Sequence, residues 1–378
     1  MLNLGVIGLG NRATGIVEKL IKTGLVRLRA VTDIRNEEIA AQLRAQNYED
    51  VHFYTDAEQM LQIEKLDGVV IGTRCSLHTH FALLVAKYGI PMFLEKPVCT
   101  TYDDLERLNA IAPEMNQKIV VSFPLRLSLL YQKVKEIVDS GKLGKIQHIQ
   151  AYNNVPYGRG YYHKWYRDGG ETGGQFLQKA THDLDYINYL LGDNRPVRIC
   201  AMKSQQIFKG DLPAEQKCTS CDKADVCPES PKNLTKTNGG GVRGDLCCFS
   251  EAVTIEDSGS CIVEYQSGMH VVYSQDFIVR NSAGKRGARL IGYYGTLEFD
   301  WVSSKITVYR HLEQLKEEYS LGQTGGHFGG DERLTDNFIG VMNGSEQSLA
   351  PLSEGILSAK LCLAARRSSD EHVFVDIV

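Results

Sequence analysis

The sequence predicts two fold classes in succession: an α/β doubly wound parallel sheet, then an α+β domain on a predominantly antiparallel open sheet. Two observations carry this. Over the first 125 residues, short and almost wholly apolar runs alternate with helix-periodic stretches, the signature of parallel strands covered on both faces by crossover helices. From Lys145 onward the apolar residues recur every second position, and turn signals separate the runs, as in sheets with one exposed face.

The first sheet is expected to use strands at Leu4–Leu9, Val26–Thr32, Gly68–Gly72, Met92–Leu94 and Ile119–Ser122. Between them, Thr14–Thr23, Asn36–Ala45, Ala57–Ile63, His80–Lys87 and Tyr102–Ile111 carry helical periodicity. A boundary is expected after Phe123, giving a nucleotide-type domain at 1–123 and a second domain at 124–378. The second opens with a helix over Leu125–Ser140 closed by Gly141. Its expected strands are Gln147–Asn153, Ala252–Glu256, Cys261–Gln266, His270–Asp276, Ala288–Gly292, Thr296–Asp300 and Lys305–Tyr309. Asp257–Ser260 and Ser267-Gly268 read as turns, and helices are expected at Thr181–Leu191, Asp331–Asn343 and Ser353–Ser368. A Cys-rich insertion spans about 205–250.

Composition excludes several functions. Lys plus Arg is 42 against 46 for Asp plus Glu, a net charge of −4, which argues against a nucleic-acid partner. Hydrophobic residues at 43% and charged residues at 23% fit a folded chain. No apolar run reaches the roughly 18 residues of a membrane helix. Met1-Leu2-Asn3-Leu4 enters a strand pattern directly, without a charged leader or cleavage site, so a cytoplasmic protein is expected.

The sharpest motif is Gly8-Leu9-Gly10-Asn11-Arg12-Ala13, between the first strand and the first helix. The first glycine makes the tight turn, the second admits a pyrophosphate, and Ala13 allows close helix packing. The helix start then offers N–H groups and a partial positive charge to phosphates. Asp33 closes the second strand, where a carboxylate binds a ribose 2′-hydroxyl and repels a 2′-phosphate; this favours NAD over NADP. Arg35 lies beside it. The cofactor set read from these strand ends is Gly8, Gly10, Asn11, Arg12, Asp33, Arg35, Thr73, His78, Glu95, Lys96 and Arg126. Lys96, in Glu95-Lys96-Pro97 at the end of the fifth strand, should point into the crevice, aimed by a turn at Pro97.

Together with Phe123-x-x-Arg126, Ser140-Gly141-x-x-Gly144, Gly173-Gly174, Thr181-His182-Asp183-Leu184-Asp185 and Gly292-x-x-Gly295-Thr296-Leu297, these motifs resemble the Gfo/Idh/MocA family of NAD(P)-dependent oxidoreductases. Its members include glucose–fructose oxidoreductase and inositol dehydrogenase. The resemblance spans most of the chain outside about 205–250. It implies a Rossmann domain, a homodimer or homotetramer, and hydride transfer to or from a secondary hydroxyl of a sugar, polyol or glycoside. It further implies that Lys96 lies beside the nicotinamide and contacts the reacting hydroxyl. His182 would serve as acid/base or orient the substrate. Family members often carry Asp four residues before that histidine; this chain has Gln178, then Lys179. Two other functions stay open: an NAD-dependent glycosidase working by transient oxidation and elimination, and a non-catalytic NAD(H) sensor.

Chemically, His182 suits proton transfer near neutrality. Lys96 would act as a base only if its pKa fell by about three units, or about 4 kcal/mol; otherwise it stabilises a developing alkoxide. The mixed stretch Tyr161–Asp168, with Tyr162 and Trp165, reads either as a sugar-binding surface or as a subunit interface. With Gln178, Lys179, His182, Lys96 and His327 of the Gly325–Asp331 loop, Tyr162 and Trp165 form the substrate set; Asp331 is a candidate N-cap. Cys218, Cys221 and Cys227 with Cys247 or Cys248 have a spacing compatible with a structural zinc; free thiols, an iron–sulfur cluster and disulfides are the alternatives. The other thiols read as buried core residues.

Overall fold

The computed structural model describes residues 1–46, 48, 50–233, 244–322 and 327–377. The chain divides into two compact units, Met1–Ser128 with Thr324–Lys360, and Leu129–Gln323 with Leu361–Val378.

The first unit is built on six strands, β1 (Leu2–Ile7), β2 (Val26–Thr32), β3 (His52–Tyr54), β4 (Gly68–Ile71), β5 (Met92–Leu94) and β6 (Ile119–Val121). All are parallel, in the order β3-β2-β1-β4-β5-β6. The helices between them are α1 (Asn11–Lys22), α2 (Asn36–Ala45), α3 (Ala57–Ile63), α4 (His78–Ala86) and α5 (Tyr102–Met115), with a short α6 (Pro124–Leu127) after β6. Every residue of β4, β5 and β6 is buried, which explains the unbroken apolar runs. The strand order reverses between β1 and β4, so the carboxyl ends of those strands open onto a topological switch point. β3 is a short His-Phe-Tyr segment with no fully buried residue rather than an apolar run, and its three residues escape a hydropathy reading.

The second unit carries a nine-stranded sheet of β7 (Ile146–Asn154), β8 (Pro196–Ser204), β9 (Ser258–Tyr265), β10 (His270–Asp276), β11 (Lys285–Gly292), β12 (Gly295–Asp300), β13 (Lys305–Arg310), β14 (Lys316–Ser320) and β15 (Val375–Asp376). Their order is β14-β13-β12-β11-β7-β10-β9-β8-β15, antiparallel except where β7 meets β10. Helices α7 (Leu129–Asp139) and α9 (Thr181–Leu191) flank a four-residue α8 (Gly169–Thr172) in sequence. On the buried face, the Tyr131 ring of α7 lies 4.3 Å from Tyr186 of α9 and 5.2 Å from Phe299 of β12.

Two expectations are corrected here. Ala252–Glu256 is not a strand: Val253 and Ile255 fill a small core with Val155, Tyr162, Phe208 and Phe277. The expected turn at Asp257–Ser260 is instead the entry to β9. Buried Asp257 accepts the backbone N–H groups of Gln206, Ile207 and Phe208 on Oδ2, at 2.8, 2.6 and 3.2 Å. That carboxylate replaces strand partners for the incoming chain, a role that local alternation does not reveal.

Near its end the chain forms α10 (Gly330–Met342) and α11 (Leu352–Glu371). The expected single cut after residue 123 does not describe this region, because 324–360 return to the first unit. The reason is packing: the Phe338 ring sits 5.8 Å from Phe93 of β5. Gly68 of β4 has no room for a side chain, since a Cβ there would lie 2.4 Å from the Met342 sulfur. Residue 121 of β6 likewise donates its N–H to Ala350 O at 2.8 Å. Among the described residues, no helix is long and apolar enough to cross a membrane.

Candidate active site

In the first unit the glycine turn is tightly specified. Gly8 has φ of +80°, and a Cβ there would fall 2.7 Å from the Thr73 backbone nitrogen; both conditions require glycine. Gly72 would carry its Cβ 2.5 Å from that of Ala13, so β4 and the start of α1 interlock. Gly10 is different. The nearest atom to a Cβ there would be Gly72 O at 3.7 Å, and Gly10 precedes α1 with no side-chain cap. An open position before an uncapped twelve-residue helix fits a dinucleotide pyrophosphate.

Asp33 braces this turn. Its Oδ2 accepts the Leu9 N–H at 2.8 Å and its Oδ1 the Arg35 N–H at 2.9 Å. The Arg35 guanidinium also reaches Asp33 Oδ1 at 3.2 Å and Leu9 O at 3.2 Å. Asp33 is thus held rigidly at the carboxyl end of β2, and its side chain retains only 6% exposure.

Arg12 is the hub of the turn, which sequence alone does not reveal. It donates to Glu95 Oε1 (3.2 Å), Ser122 Oγ (3.2 Å) and both carboxylate oxygens of Asp331 (3.1 and 2.5 Å). Asp331 does not cap its helix as expected; Gly329, with φ of +78°, occupies that place. His327 Nδ1 instead lies 2.6 Å from Asp331 Oδ2. Burial opposes ionisation of Asp331, but the hydrogen bonds from His327 and Arg12 outweigh it and hold the carboxyl well below its usual range.

Lys96 follows Glu95 at the end of β5, half-buried, and joins Pro97 through a cis peptide. Besides Arg12 and Glu95, two further expected cofactor residues are used internally. Buried His78 places Nδ1 2.7 Å from Pro97 O and Nε2 3.1 Å from Thr73 O, tying the loop after β4 to the loop after β5. Burial is the largest influence on its pKa and lowers it. Buried Arg126 pairs with Glu354 at 3.1 Å and holds α11.

In the second unit, a single π-turn at Phe176–Ala180 runs into α9; such turns recur at functional sites. Asp183 is fully buried and accepts from Asn153 (2.8 Å), Tyr273 (2.9 Å) and Arg286 (2.8 Å). It fixes the start of α9 and leaves its neighbour His182 half-buried. Gln178 and Lys179 are buried, and Lys179 Nζ donates to Tyr157 Oη at 2.8 Å. Tyr157, absent from the expected set, has no local signal; only the fold brings it to Lys179, 22 positions away.

Tyr162 is a correction. It is 0% exposed, stacks on Phe208 at 4.1 Å, and donates to Glu256 O at 2.7 Å; it is core, not a sugar platform. Trp165 stacks on Tyr166 at 3.9 Å.

The cysteines are also corrected. All ten are free thiols, and among the described residues no group of three or more Cys, His, Asp and Glu is positioned to hold a metal. Cys218 lies 3.9 Å from His163 Nδ1, and Cys247 Sγ accepts the Phe249 N–H at 3.4 Å. Burial pushes the Cys218 thiol up to about 12.

Comparison with known proteins matches residues 2–123 to an oxidoreductase family with an NAD-binding Rossmann fold, and residues 131–298 to the GFO/IDH/MocA C-terminal domain. A Bacillus subtilis protein named as an oxidoreductase, YteT, is 27% identical over 76% of either chain. Myo-inositol 2-dehydrogenase of Thermotoga maritima is 25% identical over 51% of this chain and 55% of its own. Among solved structures, a levoglucosan dehydrogenase in complex with NADH and L-sorbose superposes with a TM-score of 0.79 at 16% identity, covering 100% of this chain and 99% of that one.

Proposed function

Because this chain belongs to the Gfo/Idh/MocA family of oxidoreductases, we propose that it moves a hydride between NAD(H) and a secondary hydroxyl of a sugar, polyol or glycoside. The observation that carries this is the open, uncapped start of α1 at the switch point of a parallel sheet, in the same unit as Lys96 at the end of β5. The inositol and levoglucosan dehydrogenases among the similar proteins support the substrate class.

The main chain at Gly8–Ala13 would hold the pyrophosphate, and Asp33 the adenine-side ribose, which favours NAD over NADP. The bound nicotinamide supplies the hydride acceptor or donor. Lys96 binds the reacting oxygen and stabilises alkoxide character with its charge. His182 contacts the same hydroxyl as a proton carrier or as an orienting hydrogen bonder. We propose a homodimer or homotetramer, tested by light scattering on the eluting protein.

The test is a panel of sugars, polyols and glycosides incubated with NAD and with NADP, read by reduced-nicotinamide absorbance. Turnover of free sugars or polyols with NAD supports the reading. Aryl-glycoside cleavage without net reduction would replace it with redox-assisted glycoside hydrolysis. Cofactor binding with no turnover of any compound would replace it with a sensor.

A further inference from the structure

One pair in the second unit is chemically unusual and has no place in the roles assigned above. Lys179 is 8% exposed, yet among the described residues no carboxylate pairs with it. Its ammonium instead lies 2.8 Å from the Tyr157 hydroxyl, 4.6 Å from the centre of the Tyr157 ring and 5.2 Å from that of Tyr161. The carboxylate next along the chain, Asp183, is fully engaged by Asn153, Tyr273 and Arg286. A buried cation without an anion is costly, and the acidic proton nearest to it belongs to Tyr157.

Tyr157 is 61% exposed. An ammonium has three donors and no acceptor, so in this contact the Tyr157 oxygen accepts. Its own hydrogen therefore points away from Lys179. The arrangement is a phenol with an outward proton and a fixed positive charge behind its oxygen. Lys179 stands on the π-turn that leads into His182, where Gln178 has no proton to exchange.

We propose that the Tyr157 hydroxyl, held and polarised by Lys179, is the group that exchanges the proton of the reacting hydroxyl. This rests on the dehydrogenase reading above. In the oxidative direction the substrate O–H bond breaks and its proton passes to the Tyr157 phenolate, giving the phenol. The oxygen lone pair forms the C=O bond while the carbinol C–H bond leaves with its electrons as hydride to the oxidised nicotinamide. Reduction runs the same atoms in reverse. His182 then orients the substrate, and Lys179 is a positioning residue.

The charges around Tyr157 favour this. Lys179 is the strongest influence and lowers its pKa; burial works against that, Arg286 of β11 adds to the lowering, and Asp183 of α9 opposes it. Tyr161, on the same loop, is pushed the other way by burial and stays protonated. One phenol of the pair is shifted towards ionisation and the other away from it.

The experiment is a pH titration of tyrosinate ultraviolet absorbance on the purified full-length chain, without substrate, for wild type, Tyr157→Phe, Lys179→Met and Lys179→Arg. The wild-type minus Tyr157→Phe difference isolates one tyrosine. It is expected to ionise below the ordinary tyrosine value of about 10. Lys179→Met should move that step upward, and Lys179→Arg should largely preserve it, which separates charge from folding. Ionisation at or above the ordinary value overturns the proposal whether or not a substrate has been found. On a compound that turns over, Tyr157→Phe should lower kcat by about 100-fold or more with little change in KM. Lys179→Met should shift the limb of the kcat profile that rises with pH to higher pH. Unchanged kcat in Tyr157→Phe also overturns it. Failure of wild type on the whole substrate panel defeats the dehydrogenase reading instead, and the titration still decides the pair.

Discussion

Arg12 and Asp331, 319 positions apart, meet in a two-pronged ion pair with N–O distances of 3.1 and 2.5 Å. The arginine belongs to the glycine turn and the aspartate to α10, so the pair fastens the cofactor turn to a helix supplied by the last sixth of the chain. Asp331→Asn should cost about 1 to 2 kcal/mol, since Arg12 is partly exposed and the lost interaction is a charge-assisted hydrogen bond. The pH dependence has a definite sign. The folded-state pKa of Asp331 lies below its ordinary 3.8, so its contribution is complete above that value and fades as pH falls below it. Denaturation midpoints measured from pH 7 downward should show wild type losing its advantage over Asp331→Asn only below about pH 4.

Gly8 and Gly10 separate folding from binding. Gly8→Ala combines a left-handed backbone with a 2.7 Å clash, and should destabilise by at least about 1 to 2 kcal/mol. Gly10→Ala meets no atom closer than 3.7 Å and should melt like wild type, yet weaken NADH binding about tenfold or more, because its methyl group would fill the space proposed for the pyrophosphate. Fluorescence titration with NADH beside a thermal melt distinguishes the two outcomes.

Asp33 braces Leu9, and on the proposed reading it would also exclude a 2′-phosphate. Asp33→Asn keeps an acceptor for the Leu9 N–H but removes the charge that repels phosphate. The ratio of kcat/KM for NAD to that for NADP should therefore fall by about tenfold, which at 1.4 kcal/mol is modest for one charge contact. An unchanged ratio would move cofactor choice to Arg35 or elsewhere.

Tyr162 is a test of core against site. Tyr162→Phe leaves Glu256 O without its buried donor and should cost about 1 to 2 kcal/mol in chemical denaturation. With any compound that turns over, its KM should match that of wild type. A raised KM would return Tyr162 to the substrate surface.

The first sheet was the legible part of the fold. Its strands are buried on both faces, so hydropathy alone locates β1, β2, β4, β5 and β6. Gly8 and Gly10 are legible for a related reason: a turn that tolerates no side chain must be written as glycine. Arg12, Asp257 and Tyr157 were not legible. Their partners lie 83 to 319, 49 to 51 and 22 positions away, and an arginine, an aspartate or a tyrosine looks the same in sequence whether it meets solvent or a buried charge. Tyr162 misled for the converse reason. In a row of mixed aromatics and charges, nothing local says which ring turns inward.

The fit of Gly68 beneath Met342, with Phe338 on Phe93 and the β6 N–H on Ala350, has a consequence during synthesis. The six strands that receive the dinucleotide are all translated by residue 121, but one flank of their core is covered only when 338 to 350 emerge. For some two hundred residues of elongation the nascent sheet carries an uncovered apolar side. The order of translation therefore leaves the flank of the first sheet that α10 covers open until late in synthesis, although its strands are among the first to be made.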